Sequence, residues 1–492
     1  MLTGARHQGR DLRGSQTQSV IVVGVSRLVP NVMLGGTDRT NNKIPQGRLI
    51  SSFELSGKDP LYYYADVNVL SREAGREDLL AASKDFGPVL FRLFRGLRKL
   101  RALKMAQLPP NQLFVEPWRT CNLACTYCYA KAGPQFKKRL SVDKVVSLDN
   151  KYSFSSMTVL GGDPLIDKQF LTTLIGLKKQ WKSFLFSTNG LLMDPAFHSQ
   201  VVGVPFLGVQ ISIEPPEWSN RINIEGTKQF DLVRDKMNLF TGSNFSFAVT
   251  FPSDAPYVPL KSFLDSLESL TGTDNFSVSY WPGNGYDLPV WFDRWIEETY
   301  EMIQEGVNKR KLLGYSHAPD MFSDEGPRMF FCNAGVGGVA IGPDNKLHAC
   351  HEHAILEEPD DIISSSDAEE GIKVDVGKLQ NLVYRWTCNM DNEVCANCSM
   401  RFVCGGLCYN WNSPNAGCVY LSRASSLLLT ELNMFNGDKV ADAISRTGKT
   451  FEGLYAIRDE IARDVAGEKW VRLLSGSLPL SDAVEMANAY FK

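Results

Sequence analysis

From Leu113 onward, short apolar runs alternate with stretches in which apolar positions recur every three or four residues. Leu113–Glu116, Met157–Leu160, Ser183–Phe186, Val209–Ile213, Ser246–Phe251 and Phe276–Tyr280 read as strands. Helical patterns such as Leu165–Gln180 and Pro259–Leu270 lie between them. Six such alternations predict an α/β fold, with parallel strands joined by crossover helices. In that architecture chemistry gathers at the C-terminal ends of the strands.

Before this region, Leu61–Leu70 reads as a strand and Glu73–Lys84 as a helix. Pro88 opens a clearer helix, with Leu90, Leu93, Phe94, Leu97 and Leu100 on one face. Arg92, Arg95, Arg98, Lys99 and Arg101 fall on the other. This basic stripe is expected to be a solvated face; the alternative is a dock for an acidic partner, such as a leader peptide or an electron donor. Trp291–Leu313 predicts a long linking helix, and Leu421–Lys492 reads as mostly helical.

Composition narrows the function. The 492 residues, 43% hydrophobic and 22% charged, fit about three globular domains. With 52 basic and 55 acidic side chains the net charge is −3, too balanced to imply a nucleic-acid partner or a membrane surface. No apolar run nears the ~20 residues of a membrane span. Met1–Ser19 lacks the apolar stretch of a secretory signal. The expectation is a cytoplasmic protein with neither nucleic acid nor membrane as partner.

The eleven cysteines change the picture most. An odd number in a long chain reads as reduced thiols that bind metal or act in catalysis. Cys121, Cys125 and Cys128 stand together after the first strand. The next is Cys332, followed by Cys350, Cys388, Cys395, Cys398, Cys404, Cys408 and Cys418. Iron–sulfur clusters take about four thiolates each, and eleven divides as three, four and four. Paired C-x2-C zinc spacing is absent from the first group, which also has no fourth ligand nearby.

Cys121-x3-Cys125-x2-Cys128, with Tyr127 before the last thiol, resembles the C-x3-C-x-aromatic-C signature of the radical S-adenosylmethionine superfamily. Three further strand ends match in order. Gly161-Gly162-Asp163-Pro164 resembles the family's Gly-Gly-Glu-Pro, which binds the methionyl amine. Its Asp is one methylene shorter at equal charge, an exchange expected to be tolerated. Ser187-Thr188-Asn189-Gly190 matches the Thr-Asn-Gly of many members. Gln210-Ile-Ser212-Ile-Glu214 resembles a Ser-Leu-Asp-Gly strand end, where the serine and a later arginine reach the cofactor's carboxylate. Pro215 replaces that Gly and Arg221 comes early, which leaves the arginine's role open.

The resemblance implies a partial (β/α)6 TIM-like barrel. It also implies a [4Fe–4S] cluster on three thiolates, whose open iron binds S-adenosylmethionine. Reductive cleavage then gives a 5′-deoxyadenosyl radical that abstracts a hydrogen atom from a substrate. By the same resemblance Gly161, Gly162, Asp163, Pro164, Asn189, Ser212, Glu214 and Arg221 bind this cofactor.

Cys395-x2-Cys398-x5-Cys404-x3-Cys408, with Cys418 beyond, resembles the SPASM extension of radical enzymes. Cys332 and Cys350 supply its first two thiols, and Asn345 stands where a Gly is usual. Asn tolerates the left-handed backbone such a turn needs. The resemblance implies two auxiliary [4Fe–4S] clusters, three in all. Cys395, Cys398, Cys404 and Cys418 hold one; Cys332, Cys350 and Cys408 hold the other. Its fourth ligand stays open between Cys388, a substrate group, and His351 or His353; His348 also lies in this stretch.

The expected organisation is an N-terminal α+β region over 1–110, offered as a site of peptide recognition, and a radical barrel over 111–325. A SPASM domain over 326–425 and a helical segment over 426–492 follow. The leading expectation is an oxidoreductase-type maturase that crosslinks or oxidises a ribosomally made precursor peptide or a protein, reduced by flavodoxin or ferredoxin. The alternatives are a dehydrogenase or dehydratase of a small molecule such as an aminoglycoside, and a non-enzymatic cluster carrier. Asp254, Tyr280, Tyr286 and Asp287 follow the fifth and sixth strands. Of these, Asp254, Tyr280 and Asp287 are the catalytic candidates.

Overall fold

The computed structural model describes residues 49–55, 57–177, 182–218, 220–252, 256–281, 291–305, 329–367, 371–406, 408, 416–435 and 437–491. The chain enters through three short antiparallel strands, β1 (Leu49–Ser51), β2 (Tyr62–Tyr64) and β3 (Val69–Ser71). The single strand expected over Leu61–Leu70 is thus two. A turn with Asn68 at φ +56° separates them, and the Tyr63 hydroxyl donates to Asn68 Oδ1 at 2.9 Å. Side-chain hydroxyls from far along the chain cap this sheet: Phe53 N donates to Thr430 Oγ1 at 2.7 Å and Leu70 N to Thr447 Oγ1 at 3.1 Å.

Helices α1 (Glu77–Asp85) and α2 (Gly87–Met105) follow. Pro88 lies in the first turn of α2, where its missing N–H costs nothing. The basic stripe of α2 is neither a solvated face nor an open dock. Arg92 and Arg101 are exposed, but Arg98 and Lys99 are wholly buried and Arg95 is half-buried. The reason is packing on more than one side. The helix Val376–Trp386 lies against α2, as do Arg458–Ala466, Glu468–Leu474 and Leu480–Tyr490. The Trp470 ring fills the space over Gly96, where a Cβ would stand 1.7 Å from Cζ3. Segments read as separate ends of the chain therefore pack on one helix.

The six expected strands are present as β4 (Gln112–Val115), β5 (Ser156–Val159), β6 (Ser183–Thr188), β7 (Leu207–Ile213), β8 (Phe245–Pro252) and β9 (Phe276–Trp281). They pair in parallel in that order, with Phe186 opposite Val209 and Val209 opposite Phe245. Period-two alternation sorts the faces. In β7, Leu207, Val209, Ile211 and Ile213 are buried, while Gln210 and Ser212 line the interior cavity.

A further strand was not foreseen. β10 (Gly338–Ile341) adds in parallel to β4, with Gly338 opposite Gln112, and β11 (Leu347–His348) returns antiparallel to it. The turn between them carries Asn345 at φ +60°, the left-handed conformation expected of it. This addition places Cys350 beside the end of β4.

Candidate active site and cysteine clusters

The C-terminal ends of β4 to β7, with interior residues of β7 to β9, surround a cavity of about 460 Å³. Cys121, Cys125 and Cys128 line it together with Gly161, Gly162, Thr188, Asn189, Ser212 and Arg221. The cysteine loop is held by backbone bonds to a later segment: Ala124 N donates to Ile222 O at 2.8 Å and Thr126 N to Asn220 O at 3.2 Å. This docking brings Arg221 to the cavity although it follows Glu214 by only seven residues. Its Nε lies 3.4 Å from Glu214 Oε1, and its guanidinium is 5.5 Å from the Tyr127 ring centroid. The Tyr127 hydroxyl also donates to Glu214.

Gly162 is required by close approach. A Cβ there would stand 2.0 Å from the Thr120 carbonyl oxygen, so only glycine lets the cysteine loop pack on this turn. Asp163, the acidic residue of this turn, is wholly buried. Its carboxylate is 0% exposed, behind the wall that Gly161 and Gly162 form. It accepts from Leu165 N at 2.9 Å, from Asn189 N at 2.8 Å, and from Thr188 Oγ1 at 2.9 and 3.0 Å. The shorter side chain reaches the end of β6 and caps the 3-10 turn Pro164–Asp167. Burial raises its pKa against these hydrogen bonds. Pro164 is buried in that turn.

Asn189 bridges to the thiols: its Nδ2 is 3.6 Å from Cys121 Sγ and donates to Asn122 Oδ1 at 2.7 Å. Ser212 and Ser187 share a hydrogen bond of 3.2 Å. Leu123 N and Ala132 N point at Cys121 Sγ and Cys128 Sγ, at 3.4 and 3.5 Å. Burial raises the Cys121 thiol to about 12 and the Cys125 thiol to about 11, Arg221 opposing the second rise.

Sequence reasoning missed several groups here. Gln210, Thr250 and Ser277 line the cavity as interior positions of β7, β8 and β9. Gln229, buried, donates from Nε2 to the carbonyls of Asn189 and Ser212, both at 2.6 Å, and so ties two strand ends. Glu116, also buried, accepts from the Tyr129 hydroxyl at 3.2 Å and lies 3.1 Å from His351 Nδ1. Strand parity would have flagged the first three. The contact with His351 depends on β10 and β11.

Among the catalytic candidates, Tyr280 lies in β9. Asp254, Tyr286 and Asp287 lie outside the described residues.

The later cysteines form two groups. Cys395, Cys398, Cys404 and Cys418 line one small cavity with Met390, Met400 and Arg401. Met400 N donates to Cys398 Sγ and Gly406 N to Cys404 Sγ, both at 3.3 Å. Burial raises the Cys398 thiol to about 12, and the neighbouring thiols add to the rise. Cys350 is raised to about 12 chiefly by burial, with Cys408 and Cys332 as the thiols that act on it. Cys388 is placed elsewhere. Its Sγ is 3.5 Å from the Tyr384 carbonyl oxygen, beside Lys99 and Asp391. Nearby, His353 pairs with Asp361, and His348 Nε2 lies 3.1 Å from Asp344 Oδ2.

Among the described residues, no three His, Cys, Asp or Glu side chains converge as one metal ion would require. Grouped thiols with N–H donors aimed at sulfur are a donor set that suits iron–sulfur clusters.

Residues 115–248 match the radical SAM superfamily. Mycofactocin maturase MftC of Mycobacterium tuberculosis (strain CDC 1551 / Oshkosh) is 28% identical over 253 residues, 47% of this chain and 63% of its own length. Fe-coproporphyrin III synthase of Methanosarcina barkeri (strain Fusaro / DSM 804) is 32% identical over 99 residues, 19% of this chain and 25% of its own. The chain thus spans less than two thirds of the length of these curated relatives. A solved structure of anSMEcpe with bound AdoMet and Cp18Cys peptide superposes with a TM-score of 0.51 at 14% identity, covering 67% of this chain and 99% of that one. That likeness is one of fold, and it agrees with the parallel-stranded α/β architecture built up above. Among the described residues, no helix is long and apolar enough to cross a membrane.

Proposed function

We propose that this chain is a radical SAM/SPASM enzyme that modifies a ribosomally made peptide or a protein side chain, by crosslinking or oxidation. The observation that carries this reading is the single cavity shared by Cys121, Cys125 and Cys128 and the strand ends bearing Gly161, Asn189, Ser212 and Arg221. A reduced [4Fe–4S] cluster and S-adenosylmethionine bound there supply the radical that removes a hydrogen atom.

The chain's own residues perform the rest. Cys121, Cys125 and Cys128 would hold the cluster through their thiolates. Arg221 and Ser212, both in the cavity wall, would offer the cofactor's carboxylate a cation and a hydroxyl donor. The Gly161–Gly162 backbone would receive its amine, while Asp163 holds the end of β6 behind them. Small interior residues, Ala248, Thr250 and Ser277, leave room for a substrate side chain.

In this reading the two later groups hold auxiliary [4Fe–4S] clusters, Cys332, Cys350 and Cys408 in one and Cys395, Cys398, Cys404 and Cys418 in the other. Cys388, set apart beside Lys99, is a free thiol. Flavodoxin or ferredoxin is the electron donor, in the cytoplasm. The peptide substrate is supported by the relatedness to a maturase.

The test is to incubate reconstituted, reduced protein with S-adenosylmethionine and candidate precursor peptides. A change in peptide mass coupled to 5′-deoxyadenosine formation is expected. Turnover stimulated only by a small molecule would overturn the peptide assignment.

A further inference from the structure

Arg98 was read as part of a surface stripe, yet it is 0% exposed and joins the segments that carry the later cysteines. Its Nε donates to Met329 O at 2.6 Å, three residues before Cys332. Its Nη1 donates to Thr387 O at 2.7 Å and to Asn389 Oδ1 at 2.9 Å, and its Nη2 to Gly405 O at 3.2 Å. Asn389 Nδ2 in turn donates to Gly406 O at 2.6 Å. The fork of a guanidinium suits several acceptors at once.

The Gly405 contact has an electronic consequence. Gly405 C=O and Gly406 N–H belong to one peptide unit. Its oxygen accepts from Arg98, and its N–H donates to Cys404 Sγ at 3.3 Å. Hydrogen bonds in series polarise one another, more strongly in a buried environment. Glycine makes the approach feasible, because a Cβ on Gly406 would stand 2.6 Å from Arg98 Nη2.

We propose that Arg98 is a positioning residue that raises the reduction potential of the cluster held by Cys395, Cys398, Cys404 and Cys418, acting through the Gly405–Gly406 peptide. This rests on the cluster assignment proposed above. Reduction adds negative charge to the cluster. A buried cation and a strengthened N–H···S bond both favour the reduced state, and hydrogen bonding to sulfur is an established lever on such potentials.

The experiment uses full-length protein carrying C121A, C125A and C128A, so that only auxiliary clusters are titrated by electron paramagnetic resonance. R98Q should lower the midpoint enough to change the reduced-to-oxidised ratio at least tenfold, 59 mV for a one-electron couple. R98K keeps the charge and should stay within threefold of the parent. An unchanged midpoint in R98Q with auxiliary iron retained overturns the proposal, as does an equal shift in both variants, which would mark a merely structural role. Should R98Q not assemble, Asn389→Ala, which removes the brace between Arg98 and Gly406, must lower the midpoint at least threefold in ratio; no shift overturns the proposal. Absence of auxiliary iron from the parent counts instead against the cluster assignment.

Discussion

Thr188 Oγ1 lies 2.9 and 3.0 Å from the two carboxylate oxygens of Asp163, wholly inside the protein. The pair joins the turn after β5 to the end of β6, where Asn189 reaches the cysteine loop. Asp163 therefore touches the cavity wall through Thr188 and Asn189.

Asp163→Ala and Thr188→Val should each weaken S-adenosylmethionine binding while leaving the iron count unchanged. Because the two residues act as one unit, the double variant should bind no worse than the weaker single one. Calorimetric titration of the reconstituted protein reads this directly. A much larger loss in Asp163→Ala, adding fully to that of Thr188→Val, would mean that the carboxylate grips the cofactor itself.

A second prediction concerns how α2 is held. Lys99, buried, donates to Asp391, to Leu473 O at 3.0 Å and to Leu474 O at 3.2 Å, while Arg95 Nε donates to Asp391 Oδ1 at 2.8 Å. Asp391→Ala leaves the Lys99 charge buried without its carboxylate, a change that costs about 3–5 kcal/mol in comparable sites. Denaturant unfolding should show a loss of that order, and one below about 1 kcal/mol would show that the carbonyls suffice.

Much of this architecture was legible because its signals are local. Period-two apolar runs marked β4 to β9, and cysteine spacing marked both thiol fields. Asn345 could be assigned its left-handed turn because it stands where the SPASM pattern has a Gly and Asn tolerates that backbone. What stayed hidden depends on distant partners. β10 offers only Gly-Val-Ala-Ile, and its partner β4 lies more than two hundred residues earlier. Arg98 and Lys99 look like surface cations until the carbonyls of Met329, Thr387, Gly405 and Leu473 are folded onto them.

Cys388 gives a third prediction. Its surroundings are Tyr384, Lys99 and Asp391 rather than the thiols of Cys332, Cys350 and Cys408. Cys388→Ala should keep the full iron content and leave the auxiliary-cluster spectra unchanged. Loss of iron, or an altered spectrum, would return Cys388 to the ligand set.

The central claim is that Cys121, Cys125 and Cys128 hold the cluster at which S-adenosylmethionine is cleaved. The most direct measurement compares iron content and 5′-deoxyadenosine formation in the reconstituted parent and in the triple variant C121A, C125A and C128A. The parent should hold about twelve irons and the variant should lack about four of them, at four per cluster, with no 5′-deoxyadenosine formed. Cleavage retained by the triple variant would contradict it.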